Sequence, residues 1–307
     1  MSGSGPVGAQ TAQTDAFNAT RHNIAYYGEL LGNPVERVSF TLSGRIDDNS
    51  DYERYATYRV GANVGIVGGL RLRASLSSAF NAPAFNQLRP TLFTVGSPDL
   101  RPEKIHSAEI GLIAEAGDIV RISASYFAQR FTDLIQFVNG APPDFKGSFA
   151  NLNAAVSNGY ESEIQLLPGK EWRGTASYTL VNPRVDAVNA NYEGTDRAGD
   201  ALLRRPSHSG TLGLSYFGKR GLNVGATLAY VGTRPDLDFS QFPSPRVSLP
   251  AYSKVDVSGE LPLFQRAPTL TLTARVENLF NKRYEEVLHF AAPGRTVLIG
   301  GRAASVF

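Results

Sequence analysis

The sequence contains no cysteine, which excludes disulfide bonds and thiolate metal sites. It has no run of 18 apolar residues, which excludes a transmembrane helix of ordinary length. It also lacks an excess of charge of one sign, because 28 Asp and Glu residues are dispersed among 30 Lys and Arg residues. No basic stripe that could follow a phosphate backbone is present, so we expect no nucleic-acid partner.

What the sequence has instead is alternation of apolar and polar side chains. Between Leu70 and Asn81 the even positions are mainly apolar, and the odd positions are mainly Arg, Ser and Asn. A period of two is typical of a strand with one apolar and one polar face, whereas a helical period would scatter the charges around the axis. The pattern recurs along the chain and predicts about 13 strands. They cover residues 21–31, 35–47, 52–67, 70–81, 104–116, 118–138, 150–167, 171–184, 204–217, 222–234, 251–263, 269–283 and 295–307.

The connections between these strands are sorted by length. Short turns, the first at residues 32–34, alternate with long connections at residues 82–103, 139–149, 185–203 and 235–250. Short turns on one side and long loops on the other are typical of an outer-membrane β-barrel, as are charges in the middle of strands about ten residues long. We therefore predict an all-β antiparallel transmembrane barrel. Its apolar face would contact outer-membrane lipid, and its polar face would line a water-filled interior.

Three strings resemble the C-terminal barrel of TonB-dependent outer-membrane receptors: SAFNAP at Ser78–Pro83, PDLRPEK at Pro98–Lys104 and VENLFNKRY at Val276–Tyr284. In that family the first string opens an extracellular loop, the second begins the next strand, and the third ends the penultimate strand. Their spacing here matches all three placements. The string YVGTR at Tyr230–Arg234, with the following PAY at Pro250–Tyr252, is most similar to the cobalamin and siderophore receptor branch.

The resemblance implies a receptor in the outer membrane of a Gram-negative bacterium that takes up a scarce nutrient, such as cobalamin or a ferric siderophore. Complete members have 22-stranded barrels and an N-terminal plug. We therefore expect residues 1–20 to be a flexible leader without a signal peptide, and residues 21–307 to be the C-terminal part of such a barrel. The energy-coupling TonB protein would act through a plug outside this chain. The terminal Phe307 resembles the signal read by the outer-membrane assembly machinery.

Aromatic and cationic side chains of the long loops are the candidates for contact with a small-molecule nutrient. These candidate ligand-binding residues are Arg89, Phe93, Tyr192, Arg197, Arg234, Phe239 and Phe242. Aromatic residues near strand ends are candidates for the girdles found at membrane interfaces, although cross-strand packing would also explain them. They are Trp172, Tyr178, Tyr216 and Tyr252.

No enzymatic activity, catalytic residue or cofactor is expected, because neither a Gly-rich phosphate loop nor a G-x-S-x-G elbow occurs. We also expect no metal site, because the four histidines lack the spacing of metal ligands. Four loop acids have oxygens that calcium could use, but solvated acids are the simpler interpretation. The acids are Asp196, Asp200, Asp236 and Asp238.

Two other functions remain open at this point. In the first, the strands form a passive porin or oligosaccharide channel that closes without a plug. In the second, the chain is a secreted β-rich carbohydrate-binding protein, whose apolar rows would be sealed in a dry core and which would dissolve without detergent.

Overall fold

A computed structural model describes residues 19–52, 54–140, 143–190, 192, 194–264 and 269–304. This part of the chain contains nineteen strands, one α-helical turn (α1, Phe85–Leu88) and one 3-10 turn (Lys219–Gly221). The strands are β1 (Asn23–Val35), β2 (Val38–Asn49), β3 (Tyr55–Val67), β4 (Leu70–Asn81), β5 (Glu103–Ala116), β6 (Val120–Thr132), β7 (Ile135–Val138), β8 (Ser148–Asn151), β9 (Ala154–Leu166), β10 (Trp172–Ala187), β11 (His208–Phe217), β12 (Asn223–Val231), β13 (Arg234–Leu237), β14 (Arg246–Leu249), β15 (Tyr252–Phe264), β16 (Thr269–Glu277), β17 (Glu285–Val287), β18 (Phe290–Ala291) and β19 (Thr296–Ala304).

Thirteen of these strands form one antiparallel sheet, in the order β1-β2-β3-β4-β5-β6-β9-β10-β11-β12-β15-β16-β19. The other six form three hairpins within loops, β7–β8, β13–β14 and β17–β18. The prediction of an all-β antiparallel sheet with 13 main strands is confirmed. In the described residues β1 and β19 are the two edges, so the sheet is an open arc of a barrel wall. No helix in the described part of the chain is long and apolar enough to span a bilayer.

The two faces of the sheet differ as the alternation predicts. On one face Leu42, Val60 and Leu76 lie side by side on β2, β3 and β4, and they are 43%, 44% and 53% exposed. On the other face the Arg73 guanidinium lies 2.6 Å from the Glu109 carboxylate on the next strand. A face of half-exposed aliphatic side chains that spans a whole sheet is suited to lipid, whereas cross-strand ion pairs are suited to a wet interior.

The connections are sorted by side, as predicted. The short connections at one end are residues 36–37, 68–69, 117–119, 167–171 and 218–222. The connections at the opposite end are mostly long, at residues 82–102, 133–153, 188–207, 232–251 and 278–295, and residues 50–54 form a short one there. All three small hairpins belong to the long connections, so this end carries the additional structure.

Several predicted strand boundaries are wrong, and three of them have a clear structural reason. The first turn lies at residues 36–37 instead of 32–34, because β1 continues through Pro34 with a register shift between Gly32 and Val35; proline is tolerated at such a bulge, where the ladder pairing is interrupted. The predicted strands 118–138 and 269–283 end early, at β6 and β16. The residues that follow, Asp133 and Asn278, have φ of 57° and 50°, and this left-handed conformation interrupts an extended chain.

Candidate functional site: a platform of interlocked loops

The long loops fold over the polar face of the sheet. A cavity of about 640 Å³ lies between that face and the loops. Phe127 and Glu161 line it from the sheet, and Leu134, Leu202 and Arg205 line it from the loops. Because long loops of a barrel fold into its mouth, this arrangement assigns the charged face to the interior and the aliphatic face to the outside.

Asp236 joins three of the loops. Its side chain is fully buried, and its Oδ1 accepts hydrogen bonds of 2.8 Å from Arg204 Nε and from the Leu237 amide. Its Oδ2 accepts a 2.8 Å hydrogen bond from the Leu288 amide. Burial alone would raise the pKa of Asp236, but the bonds from the two amides and Arg204 lower the pKa below its usual range. The carboxylate therefore stays ionised and fastens residues 188–207, 232–251 and 278–295 together.

A second junction forms around Arg234, which is 4% exposed. Its guanidinium donates to the Glu285 carbonyl oxygen and lies 5.5 Å from the ring centroid of Tyr252. Tyr252 donates to the Glu286 carboxylate at 2.8 Å and stacks on Tyr284 at 4.0 Å. Tyr252 is 6% exposed on the interior face, so its assignment to a lipid-facing girdle is wrong. The Nη1 atom of Arg234 is buried and has no partner among the described residues.

A third junction centres on Arg246. Its Nη2 donates to Asp196 Oδ1 at 2.6 Å, and its Nε lies 3.4 Å from Asp200 Oδ2. Tyr192 donates a hydrogen bond to the other oxygen of Asp196. The pKa of Tyr192 is raised, mainly by burial of the side chain and also by this hydrogen bond to a carboxylate. Two of the four loop acids thus neutralise an arginine.

The remaining loop acid, Asp238, is held within its own turn. Hydrogen bonds from the Ser240 hydroxyl and amide, and from Gln241, lower the pKa of Asp238 below its usual range. Within the described residues no three acidic or histidine side chains gather in a metal-binding arrangement. The four acids therefore stabilise loop conformation through protein donors.

The structure separates the predicted ligand-binding residues into two groups. Phe93, Phe239 and Phe242 are 73%, 50% and 52% exposed, and Arg89 and Arg197 are also exposed. By contrast, the side chains of Tyr192 and Arg234 are engaged in the junctions described above. Contact of all seven with a ligand stays a prediction. Phe307 lies outside the described residues.

Sequence reasoning missed the residues that bring these loops together. Arg204 and Arg246 were not predicted as site residues, and Asp236 was interpreted as a solvated loop acid, with calcium binding as the alternative. The Arg204 guanidinium also lies 5.9 Å from the ring centroid of Phe239, so it connects the buried carboxylate to an exposed aromatic ring. No local pattern marks such residues, because their partners are 32 residues away or more.

A family profile described as "TonB dependent receptor-like, beta-barrel" matches residues 2–279. The chain belongs to the TonB-dependent receptor family. Members are outer-membrane receptors and transporters of Gram-negative bacteria, not enzymes, and the aliphatic face of this TonB-dependent receptor sheet accordingly faces lipid.

Several known proteins are similar to this chain. The vitamin B12 transporter BtuB of Vibrio cholerae serotype O1 is 28% identical over 255 residues, which are 82% of this chain and 37% of the relative. The copper transporter OprC has a TM-score of 0.72 at 19% identity, over 92% of this chain and 49% of that structure. The pyoverdine receptor FpvA of Pseudomonas aeruginosa has a TM-score of 0.71 at 20% identity, over 92% of this chain and 42% of that structure. This TonB-dependent receptor chain thus spans less than half the length of these proteins.

The VENLFNKRY string of this TonB-dependent receptor has a structural explanation in Asn278, which is 3% exposed. Its Oδ1 accepts from the Lys282 amide at 2.8 Å, and its Nδ2 donates to the Lys282 and Pro293 carbonyl oxygens at 2.9 and 3.3 Å. Its own amide donates to Asp256 Oδ1 at 2.8 Å. The side chain of Asn278 therefore closes both ends of the 278–295 loop, and its backbone amide anchors the loop to β15.

Replacing Asn278 with alanine is expected to destabilise this loop by about 2–3 kcal/mol, because buried amide and carbonyl groups would lose their partners. Asn281→Ala is the matched control, since Asn281 is exposed and its side chain accepts from the Arg295 amide; it should cost about 1 kcal/mol or less. Hydrogen exchange of residues 278–295 measures both costs. Equal acceleration in the two variants would contradict the role given to Asn278.

Proposed function

We propose that residues 21–307 are the C-terminal barrel part of a receptor that takes up a scarce nutrient, cobalamin or a ferric siderophore. TonB would supply energy through a plug carried outside this chain. The observation that carries the proposal is the loop platform: three long loops of a TonB-dependent receptor barrel are fastened over its interior by Asp236. A passive channel has no need of such a fastened mouth, whereas a receptor needs a preorganised binding surface.

Cobalamin is the leading ligand, because the vitamin B12 transporter BtuB of Vibrio cholerae is among the curated relatives that match this chain. The exposed rings of Phe93, Phe239 and Phe242 offer the flat apolar area that a macrocycle can cover. Arg234 is buried, so it would act by holding the Glu285 carbonyl oxygen and the Tyr252 ring in place. Arg89, Arg197 and Tyr192 would contribute at the rim.

The proposal is tested by uptake of labelled cyanocobalamin and of ferric siderophores into cells that express the full-length receptor, with and without functional TonB. We expect cyanocobalamin to bind in both strains and to be taken up only where TonB functions. Uptake without TonB would contradict the proposal and support a passive channel. Saturable uptake of a ferric siderophore alone would exclude cobalamin as the ligand.

Phe239→Ala with Phe242→Ala is expected to weaken cyanocobalamin binding at least tenfold, because most of the apolar contact area on this loop would be lost. The matched control is Phe264→Ala, since Phe264 is 62% exposed at the opposite end of the sheet. Equal affinity of the double variant and the control would remove these rings from the binding surface.

From its resemblance in sequence alone, we further propose that Phe307, which lies outside the described residues, takes part in recognition of the chain by the outer-membrane assembly machinery. Deletion of Phe307 from the full-length receptor should then lower the amount assembled in the membrane. The same deletion should leave synthesis of the protein unchanged.

A further inference from the structure

The outward face of the sheet changes in character toward the loop end. On β6 the outward side chains progress from Ile122 through Tyr126 to Arg130. On β10 they progress from Tyr178 to Arg184. Aliphatic, aromatic and cationic side chains in this order match hydrocarbon, membrane interface and lipid headgroup. The two arginines therefore lie at the level of the headgroups and on the side that faces lipid.

These arginines lie in one row across the sheet. Arg130 pairs with His106 on β5 and with Val156 on β9, and Val156 pairs in turn with Arg184 on β10. Arg130 is held by Asp186, at 2.9 Å. Arg184 is exposed and forms no ion pair with the acidic side chains that the structure describes. The row therefore carries more positive charge than its single acid balances.

An apolar groove of about 420 Å³ lies directly next to this row on the same outward face. Its floor consists of small side chains on β3, β4, β5 and β6, and larger side chains form its walls. Ala108 and Ala128 pair across β5 and β6, and the next outward pair toward the loops is His106 with Arg130. The end of the groove is thus two residues, about 6.6 Å of strand, from a cation. The floor is Ala62, Ala74, Ala108 and Ala128, and the walls are Val60, Leu76, Ile110 and Tyr126.

We propose that the groove and the cationic row together bind one phosphorylated lipid of the outer leaflet. An acyl chain would lie along the alanine floor, and a phosphate of the headgroup would accept hydrogen bonds from Arg130 and Arg184, with His106 beside it. A guanidinium suits this ligand because its N–H groups match phosphate oxygens in pairs. Asp186 would orient Arg130 without cancelling the charge of Arg184.

The headgroup contact is tested with the full-length receptor in detergent and with lipid A, a diphosphorylated glycolipid, titrated by native mass spectrometry. Arg130→Gln with Arg184→Gln should weaken binding at least tenfold, and dephosphorylated lipid A should bind the unaltered receptor comparably weakly. The control is Arg173→Gln with Arg275→Gln, which removes the same charge from the interior face; Arg275, like Arg130, has an acidic partner on a strand. Equal weakening by the two double variants would overturn the proposal.

The groove is tested by Ala108→Leu, which fills its floor and should weaken lipid A binding at least fivefold. Ala226→Leu is the matched control, because Ala226 is an exposed outward alanine on β12, away from the groove. If Ala108→Leu binds lipid A like its control, the site is an anion site without an acyl groove and the proposal fails.

Discussion

Replacing Leu228 with arginine is expected to destabilise the barrel by about 2–4 kcal/mol and to reduce the amount assembled in the membrane. Leu228 lies in the middle of β12, between Leu212 and Val255 in the register of the sheet, and is 39% exposed on the aliphatic face. A guanidinium placed there would lose water without gaining a partner, since its neighbours are hydrocarbon. Chemical unfolding in lipid vesicles and the amount of folded protein in outer-membrane fractions both measure the effect.

Thr227→Arg is the matched control, because Thr227 is the adjacent residue and points to the opposite face. Its register neighbours are Gly213 and Asp256, so a new guanidinium there has space, water and a nearby carboxylate. We expect a change of less than about 1 kcal/mol, as for other substitutions in a wet lumen. If Thr227→Arg were the more damaging of the two, the assignment of the charged face to a wet interior and of the aliphatic face to lipid would be wrong.

The strands could be predicted because both faces of each strand follow from a period of two. From Leu70 to Asn81 the predicted and observed strands agree residue for residue, since one face must be aliphatic and the other polar along its whole length. The failures fall where local backbone conformation overrides the pattern. Gly32, Asn33 and Pro34 are typical turn residues, yet they lie in a strand whose register shifts between Gly32 and Val35, and such a bulge tolerates the missing amide donor of proline.

The loop platform could not be predicted for a different reason. Leu152, Val185 and Leu249 are all less than 3% exposed, although they lie in or beside segments with the composition of exposed loops. Long-range contacts join the loops at this end, such as the 2.7 Å hydrogen bond from the Asn139 side chain to the Ser244 hydroxyl. Such contacts follow from how the barrel places separate loops at one end, so no window of sequence contains them. The candidate ligand-binding residues could therefore be predicted from their position in the long loops. Which of their side chains are exposed and which are bonded to other loops could not be predicted.

Replacing Asp236 with alanine is expected to release the three loops that it fastens, at a cost of about 3 kcal/mol, because two buried amides and a guanidinium would lose their acceptor. A cost of this size corresponds to about 100-fold faster hydrogen exchange of residues 234–249 and 284–292. The barrel strands should exchange as before, since no strand of the main sheet bonds to this carboxylate. Asp48→Ala is the control, because the Asp48–Arg54 ion pair is exposed and worth about 1 kcal/mol or less.

Two further experiments distinguish the effect of the Asp236 carboxylate from the effect of removing the side-chain volume. Asp236→Asn keeps Oδ1 for Arg204 and Leu237 but replaces the acceptor of the Leu288 amide, so exchange should accelerate more at residues 284–292 than at 234–249.

Because the pKa of Asp236 is lowered in the folded protein, its stabilisation is present above the unfolded value of about 3.9 and is lost as pH falls through the folded value. The loops should therefore exchange slowly at pH 5 and open below about pH 4. Asp236→Asn should lack that acid transition. If the transition persisted in this variant, loop closure would depend on another titrating group.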